Sequence, residues 1–153
     1  IPEDMPFEIG KALMLSPGED VSIFATGHLV WKALEAKKIL AEKGINAEVI
    51  NIHTIKPLDV KCILDSVAKT GCAVTAEEHQ RNGGMGDSVC QTLAMNQPAP
   101  VEMVAVNDSF GESGKPEELM VKYGLDTVNI VAAAEKAIER KITFAKSKEY
   151  IAH

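Results

Sequence analysis

The sequence has little of what marks a metal cluster, a disulfide framework or a membrane protein. Its 153 residues include three cysteines, and no two of them form a CxxC pair. Because an odd number of widely spaced cysteines argues against zinc or disulfides, we interpret Cys62, Cys72 and Cys90 as reduced, mostly buried small side chains. No apolar run approaches the roughly 20 residues that a membrane-spanning helix needs. No N-terminal stretch resembles a signal peptide, so we expect a cytoplasmic protein.

The chain also lacks an excess of positive charge and is poor in aromatic residues. Its net charge is −6, and aromatic residues make up 5% of the chain. This balance argues against nucleic acid or an anionic membrane as the main partner. Apolar residues make up 46% and charged residues 25%, which is ordinary for one globular domain with a sizeable core. The absence of a methionine before Ile1 suggests a fragment of a longer protein, although processing would leave the same start.

Apolar patterns along the chain predict strands and helices in alternation. Short β-rich runs predict strands at 12–15, 21–27, 47–52, 72–76 and 101–106. Helical spacing of apolar residues predicts helices at 28–43, 57–69, 86–95, 116–122 and 127–141. Asp126 is predicted to be the N-cap of the last helix. This alternation predicts a three-layer α/β/α domain with a five-stranded, mostly parallel sheet.

One strand of the sheet is expected to run against the others. The connection at residues 16–20 is too short for a parallel crossover, so we predict that the first two strands form an antiparallel hairpin. The segment 142–153 mixes charged and apolar residues, and its pattern assigns it no structure. The predicted domain therefore covers residues 1–141, followed by a tail at 142–153.

A glycine-rich turn, Gly83-Gly84-Met85-Gly86, follows the fourth strand and opens a helix. Free N–H groups at such a helix start can bind a phosphate. The run matches neither GxGxxG nor a P-loop, and its glycines equally permit a tight turn and close packing of the helix. We favour the packing interpretation.

Glu77, Glu78 and His79 lie at the C-terminal end of the fourth strand, the edge at which open α/β sheets bind ligands. A carboxylate beside an imidazole can act as an acid/base pair. It can equally form an ion pair at a domain or subunit interface, which the nearby Arg81 favours. Because side chains alternate along a strand, Glu77 and His79 are predicted to share one face, with Glu78 on the other.

Isolated residues carry weaker signals. His28 and His53 each follow a strand, where each could bind a ligand, cap a helix or fill a turn. Trp31 is expected to be a packing anchor rather than a stacking platform. The sequence has neither a GxSxG nucleophile elbow nor an HExxH metal motif. The residues alone therefore predict an α/β domain with an unassigned site at the sheet edge.

Four strings in order along the chain resemble the C-terminal domain of transketolases of the split, two-subunit bacterial and archaeal type. They are FEIGKA (7–12), NIHTIKPLD (51–59), VTAEEH (74–79) with GGMG (83–86), and FGESG (110–114) with PEEL (116–119) and YGL (123–125). The wider superfamily includes 1-deoxyxylulose-5-phosphate synthase and the beta subunits of 2-oxo-acid dehydrogenases, which stay open as alternatives.

The resemblance implies that the full enzyme is a homodimeric transketolase of the pentose phosphate pathway, which transfers a two-carbon ketol unit between phosphosugars. Its cofactors are thiamine diphosphate and magnesium, and in this family other domains hold both. The chain lacks the family's Gly-Asp-Gly…Asn diphosphate motif. We therefore expect it to bind no cofactor, to be inert alone, and to pack against the remaining transketolase domains or subunit as a structural and dimerisation domain.

The resemblance assigns no catalytic, cofactor-binding or metal-binding residue to this chain. The interface or ligand-proximal candidates are Glu77, His79, Gly83, Gly84 and Gly86. An alternative of another class is a free-standing regulatory module that binds an anion or a nucleotide at its glycine-rich edge.

Overall fold

Five strands form the central sheet of the structure, a computed structural model that describes residues 10–53, 57–80, 84–106 and 126–152. The strands are β1 (Leu13–Ser16), β2 (Val21–Ala25), β3 (Ala47–Asn51), β4 (Ala73–Gln80) and β5 (Val101–Val106). They lie in the order β1-β3-β2-β4-β5, with β2 to β5 parallel and β1 antiparallel to β3. The predicted mostly parallel sheet with one antiparallel strand is confirmed.

Helices cover both faces of this sheet. Within the described ranges they are α1 (Leu29–Glu42), α2 (Val60–Thr70), α3 (Met85–Asn96) and α4 (Thr127–Ala152). Helices α1 and α4 pack on one face around Ile23, whereas α2 and α3 pack on the other around Phe24. Both side chains are fully buried, and burial of each contributes about 1.5–3 kcal/mol to folding. The predicted three layers are confirmed.

The position of β1 corrects one prediction. β1 pairs with β3 rather than with β2, so the first two strands form no hairpin. The connection between them instead crosses the beginning of β3, where the N–H groups of Glu19 and Asp20 both donate to the Asn46 carbonyl. A Cβ on Gly18 would lie 2.3 Å from the carbonyl carbon of Ala47, so glycine is what lets the connection pass so close.

Helix α2 begins later than predicted. Its first residue is Val60 rather than Pro57, because the Asp59 side chain caps the helix by accepting the Cys62 N–H at 3.2 Å. The other carboxylate oxygen of Asp59 accepts the Ala12 N–H at 2.8 Å, which ties the helix start to the segment before β1. The strand predicted at 101–106 is confirmed, whereas the helix predicted at 116–122 lies outside the described residues.

Helix α4 extends beyond its predicted end. It begins at Thr127 as expected and continues through the segment that the sequence pattern left as a tail. Lys141 attaches the helix to the body of the domain, since its ammonium group donates to the carbonyls of Asp20 at 2.7 Å and Thr70 at 2.9 Å. Residues 142–152 project beyond this attachment as further helix.

A buried polar network joins α2 to the beginnings of the parallel strands. The Glu48 carboxylate is fully buried, pairs with the Lys69 ammonium group, and accepts the Ser66 hydroxyl at 2.6 Å and the Gly18 N–H at 3.2 Å. The Ser22 hydroxyl extends the network at 2.6 Å from that of Ser66. Burial by itself would raise the pKa of Glu48, but these hydrogen bonds and the charge of Lys69 outweigh it and hold the pKa below its ordinary value.

The depressed pKa of Glu48 makes the stability of the domain depend on acid pH. The unfolded chain binds a proton at Glu48 near the ordinary pKa of 4.5, whereas the folded domain binds it only at lower pH. The stability that this carboxylate contributes is therefore complete above about pH 5 and is lost as the pH falls through the folded pKa. Denaturant titrations between about pH 6 and pH 3 should show a steeper acid loss of stability in the native sequence than in Glu48→Gln. Equal slopes would contradict this expectation.

Candidate functional site

The parallel strands end at one edge of the sheet, called here the C-terminal edge. β4 is the longest described strand and carries Glu77 and Glu78 near its end. Helices α1 and α3 begin at the same edge. The free N–H groups of a helix start carry partial positive charge, so a carboxylate placed there is stabilised.

Glu77 caps helix α3. Its side chain is fully buried, and its two carboxylate oxygens accept the N–H groups of Met85, at 2.8 Å, and of Gly86. These charge-assisted bonds satisfy two donors of the first helical turn. Two of the N–H groups that a phosphate would use at the start of α3 therefore already hold a carboxylate of the same chain.

The glycine at position 86 serves close packing of α3 on the sheet. A Cβ there would lie 2.5 Å from the terminal methyl of Met103, 2.9 Å from the Thr75 hydroxyl and 3.0 Å from the Glu77 carboxylate. Gly84 is buried as well, with extended backbone that any residue adopts. Packing explains Gly86, as the sequence suggested, whereas Gly83 lies outside the described residues.

Glu78 bonds to the residue just before helix α1, on the opposite face of the sheet. Its Oε1 accepts the His28 N–H at 2.9 Å and lies 3.2 Å from the His28 Nδ1. Glu77 thus serves a helix on the α2/α3 face and Glu78 a helix on the α1/α4 face, which confirms their predicted alternation. The Glu78 side chain is 38% exposed and that of His28 73%, so this pair contributes less to stability than the buried Glu77 cap does.

Trp31 corrects a prediction at this edge. It is 65% exposed, so the expectation that it anchors the core is wrong. The helical repeat buries the preceding Val30 and turns the tryptophan outward. A bulky aromatic residue at the start of a helix does not reveal from sequence alone which way it points.

The remaining candidates are described only in part. His53 is half-buried just after β3. The backbone of His79 continues β4, but its side chain and Arg81 lie outside the described part of the structure. An interface or ligand-proximal role for Glu77, His79, Gly83, Gly84 and Gly86 stays a prediction.

The chemistry available in the described ranges is limited. They contain no group of three or more His, Cys, Asp or Glu side chains that could hold a metal ion, and no helix with the length and apolarity to cross a membrane. Burial raises the pKa of the Cys62 and Cys72 thiols to about 11, which leaves both protonated and weakly nucleophilic at neutral pH. Among the described residues, the C-terminal edge carries two carboxylates, one bonded at the start of α3 and one bonded just before α1.

Comparison with known proteins gives a consistent result. The family described as "Transketolase, C-terminal domain" matches residues 10–130. The 6-deoxy-6-sulfo-D-fructose transketolase subunit SqwH of Clostridium sp. (strain MSTE9) is 46% identical over 139 residues, which are 91% of this chain and 43% of that protein. The 1-deoxy-D-xylulose-5-phosphate synthase 1 of Geobacter sulfurreducens is 42% identical over 135 residues, 87% of this chain and 21% of that protein.

A solved structure agrees with these relatives. A chain described as "Split gene transketolase, inactive beta4 tetramer" superposes with a TM-score of 0.89 at 44% identity, covering 92% of this chain and 46% of that chain. The present chain thus spans less than half the length of each of these three proteins.

Proposed function

This chain belongs to the transketolase C-terminal domain family, and we propose that it is the structural and dimerisation domain of a thiamine-diphosphate-dependent transketolase. The full enzyme transfers a two-carbon ketol unit between phosphosugars. Its other domains or partner subunit carry the chemistry, in a homodimeric cytoplasmic assembly. This domain alone performs no catalytic step.

The main support for this structural role is that the carboxylates at the C-terminal edge form hydrogen bonds within the chain. Glu77 and Glu78 lie where open α/β sheets bind ligands, yet both bond within the same chain. Glu77 accepts two N–H groups of α3, and Glu78 accepts the His28 N–H just before α1. A carboxylate held in this way stabilises the edge and is poorly placed to move a proton on a substrate. The edge is suited to presenting a fixed surface to neighbouring domains.

Thiamine diphosphate and magnesium are proposed for the full enzyme and not for this domain. A magnesium diphosphate needs oxygen ligands around the metal and free N–H donors around the phosphates. In the described residues, two donors at the start of α3 bond to Glu77, and the Glu48 carboxylate bonds to Lys69 and Ser66. These groups do not fit the cofactors, so we derive no reaction step from them.

Two alternatives differ in their support. A free-standing module that binds an anion at the glycine-rich edge is disfavoured, because the Glu77 carboxylate would repel an anion at the start of α3. A 1-deoxyxylulose-5-phosphate synthase is the second candidate, because a relative at 42% identity carries that name.

Activity measurements on two preparations test the proposal. The 153-residue chain, assayed alone with ketose and aldose phosphates, thiamine diphosphate and magnesium, is expected to give no turnover above background. A chimera is then made by exchanging the matched section of the Clostridium subunit for this chain. Combined with the rest of that enzyme, the chimera is expected to restore ketol transfer from 6-deoxy-6-sulfo-D-fructose.

Three results would contradict the proposal. Turnover by the chain alone would remove the inert structural role. A chimera that unfolds cooperatively but stays inactive would show that the chain cannot replace the matched section. Tight binding of a nucleotide or phosphosugar to the isolated chain, measured by calorimetry, would favour the regulatory module.

A further inference from the structure

Residues 10–12, called here the entry segment, lead into β1 from the C-terminal edge of the sheet. β1 is antiparallel to β3, and its first residue, Leu13, pairs with Asn51, the last residue of β3. The segment before β1 and the segment after β3 therefore lie at the same edge. Antiparallel pairing thus brings the entry segment beside the residues that precede helix α2.

Asp59 bonds to the entry segment with one oxygen and to helix α2 with the other. Its Oδ2 accepts the Ala12 N–H at 2.8 Å, and its Oδ1 accepts the Cys62 N–H at 3.2 Å. Hydrogen bonds from an N–H group to a carboxylate are stronger than bonds between neutral groups. Because one planar carboxylate accepts both, the entry segment is fixed relative to the helix, although 47 positions separate Ala12 from Asp59 in sequence.

Two further contacts hold the entry segment in place. Gly10 has a φ of +81°, and a Cβ added there would lie 3.1 Å from Pro57 Cγ, so the chain turns closely against the proline. The Ala12 side chain is half-buried and packs against the core cluster around Phe24, as Leu58 does. The segment is therefore held by packing as well as by hydrogen bonding.

Under the proposed function, another domain lies ahead of the entry segment. More than half the length of the transketolase relatives lies outside the section that this chain matches, and the matched family is a C-terminal domain. That remainder therefore connects to this domain through Gly10. Domains joined by a slack linker move relative to one another by default, so a held entry segment removes one source of that motion.

We propose that Asp59 is a positioning residue, which fixes the joint between this domain and the transketolase domain that precedes it. The inference rests on the proposed function, which supplies the preceding domain. Asp59 acts through the entry segment rather than on the substrate. Reacting groups misplaced by about 1 Å can lose roughly a hundredfold in rate, so a joint without slack matters even far from the chemistry.

Asp59→Ser separates the two bonds of the carboxylate. Serine is about as good an N-cap as aspartate, so its hydroxyl can still accept the Cys62 N–H. With one oxygen in place of two, it leaves the Ala12 N–H without this acceptor. Asp65→Ser is the matched control, because it removes another carboxylate of α2, the one that pairs with Lys61.

Trypsin measures the release of the entry segment directly. It cleaves after lysine, and the peptide bond after the exposed Lys11 contains the Ala12 N–H that Asp59 accepts. Cleavage at this bond requires local opening. In the 153-residue chain, we expect Asp59→Ser to speed it by roughly tenfold or more, the effect of losing a hydrogen bond to a charged group. Cleavage after the exposed Lys146 of α4 should not change, and Asp65→Ser should alter neither rate.

Gly10→Ala releases the same segment without touching α2, which keeps the test decisive if Asp59→Ser weakens the whole domain. Alanine is strained at a φ of +81° and crowds Pro57, so cleavage after Lys11 should again be faster. Synthetic peptides of residues 7–16 with and without the substitution correct for the intrinsic cleavage rate. Gly44→Ala, at a φ of +78° and with nothing within 4 Å of the added Cβ, is the matched control.

Kinetics of the Clostridium chimera test the positioning role. The proposed function places the substrate contacts in other domains, so Asp59→Ser should lower kcat for ketol transfer at least about fivefold and leave KM unchanged. Its free energy of unfolding, from denaturant titration, should match that of Asp65→Ser. A residue that only stabilises α2 would leave the kcat of the folded enzyme unchanged.

The outcomes separate this inference from the proposed function. Cleavage after Lys11 that is equally slow in the native chain, in Asp59→Ser and in Gly10→Ala overturns the held entry segment. Faster cleavage with an unchanged kcat in the Asp59→Ser chimera overturns the positioning role. An inactive native chimera contradicts the proposed function, whereas faster cleavage in its Asp59→Ser variant would still support a joint fixed by Asp59.

Discussion

Glu77→Ala is expected to lower the free energy of unfolding of the domain by about 3–5 kcal/mol. The substitution removes two charge-assisted hydrogen bonds and leaves the N–H groups of Met85 and Gly86 without their acceptor in a buried position. Because these donors open helix α3, its first turn should fray. Chemical denaturation followed by circular dichroism measures the loss, and hydrogen exchange at the start of α3 locates it.

Two controls sharpen this result. Glu78→Ala removes a partly exposed carboxylate that accepts the His28 N–H just before α1, so its cost should be about 1 kcal/mol or less. Glu77→Gln keeps one acceptor oxygen, so its cost should fall between the two alanine variants. A Glu77→Ala variant as stable as Glu78→Ala would show that the buried cap is not what holds α3 to the sheet.

Gly18→Ala is expected to destabilise the domain by about 3–5 kcal/mol. The added Cβ would lie 2.3 Å from the Ala47 carbonyl carbon and 2.5 Å from the Glu48 nitrogen. Both neighbours are backbone atoms of a central strand, so relief requires β3 or the connection to move. That movement would also lengthen the hydrogen bond from the Gly18 N–H to the buried Glu48 carboxylate.

Gly44→Ala is the matched control for crowding. Gly44 has a φ of +78°, and a Cβ added there would meet nothing within 4 Å, so alanine at this position causes backbone strain without a clash. Its cost should be about 1–2 kcal/mol. Equal losses in the two variants, measured by denaturant titration, would mean that close approach at Gly18 contributes nothing beyond ordinary glycine flexibility.

The layers and the parallel core of the fold were predictable from local pattern. Strands that helices cover on both faces are apolar along their whole length. Each therefore appears in the sequence as a short apolar run, such as 47–52 and 101–106. The pairing of β1 was not predictable in this way. It depends on Gly18 crossing β3, a contact between segments about thirty residues apart that no periodicity encodes.

The sequence predicted where Glu77 and Glu78 lie, but not which groups they bond to. Strand alternation predicted opposite faces for Glu77 and Glu78, yet nothing in the pattern showed that each would meet a helix start. The prediction that Trp31 is a packing anchor was wrong for a related reason. Its exposure depends on the angle at which α1 lies on the sheet. The end of α4 was predicted too early, at residue 141. Residues 142–152 form helix with little burial, so their mixed composition shows no helical spacing of apolar residues.

The extension of α4 provides a site for attaching a tag or tether to the domain. Lys141 fastens the helix near the beginnings of the strands, and residues 142–152 add about 16 Å of helix beyond that point. A tag or tether at the C-terminal end therefore sits on the side away from the C-terminal edge of the sheet. A protein immobilised through that end on a sensor surface would present the C-terminal edge to solution.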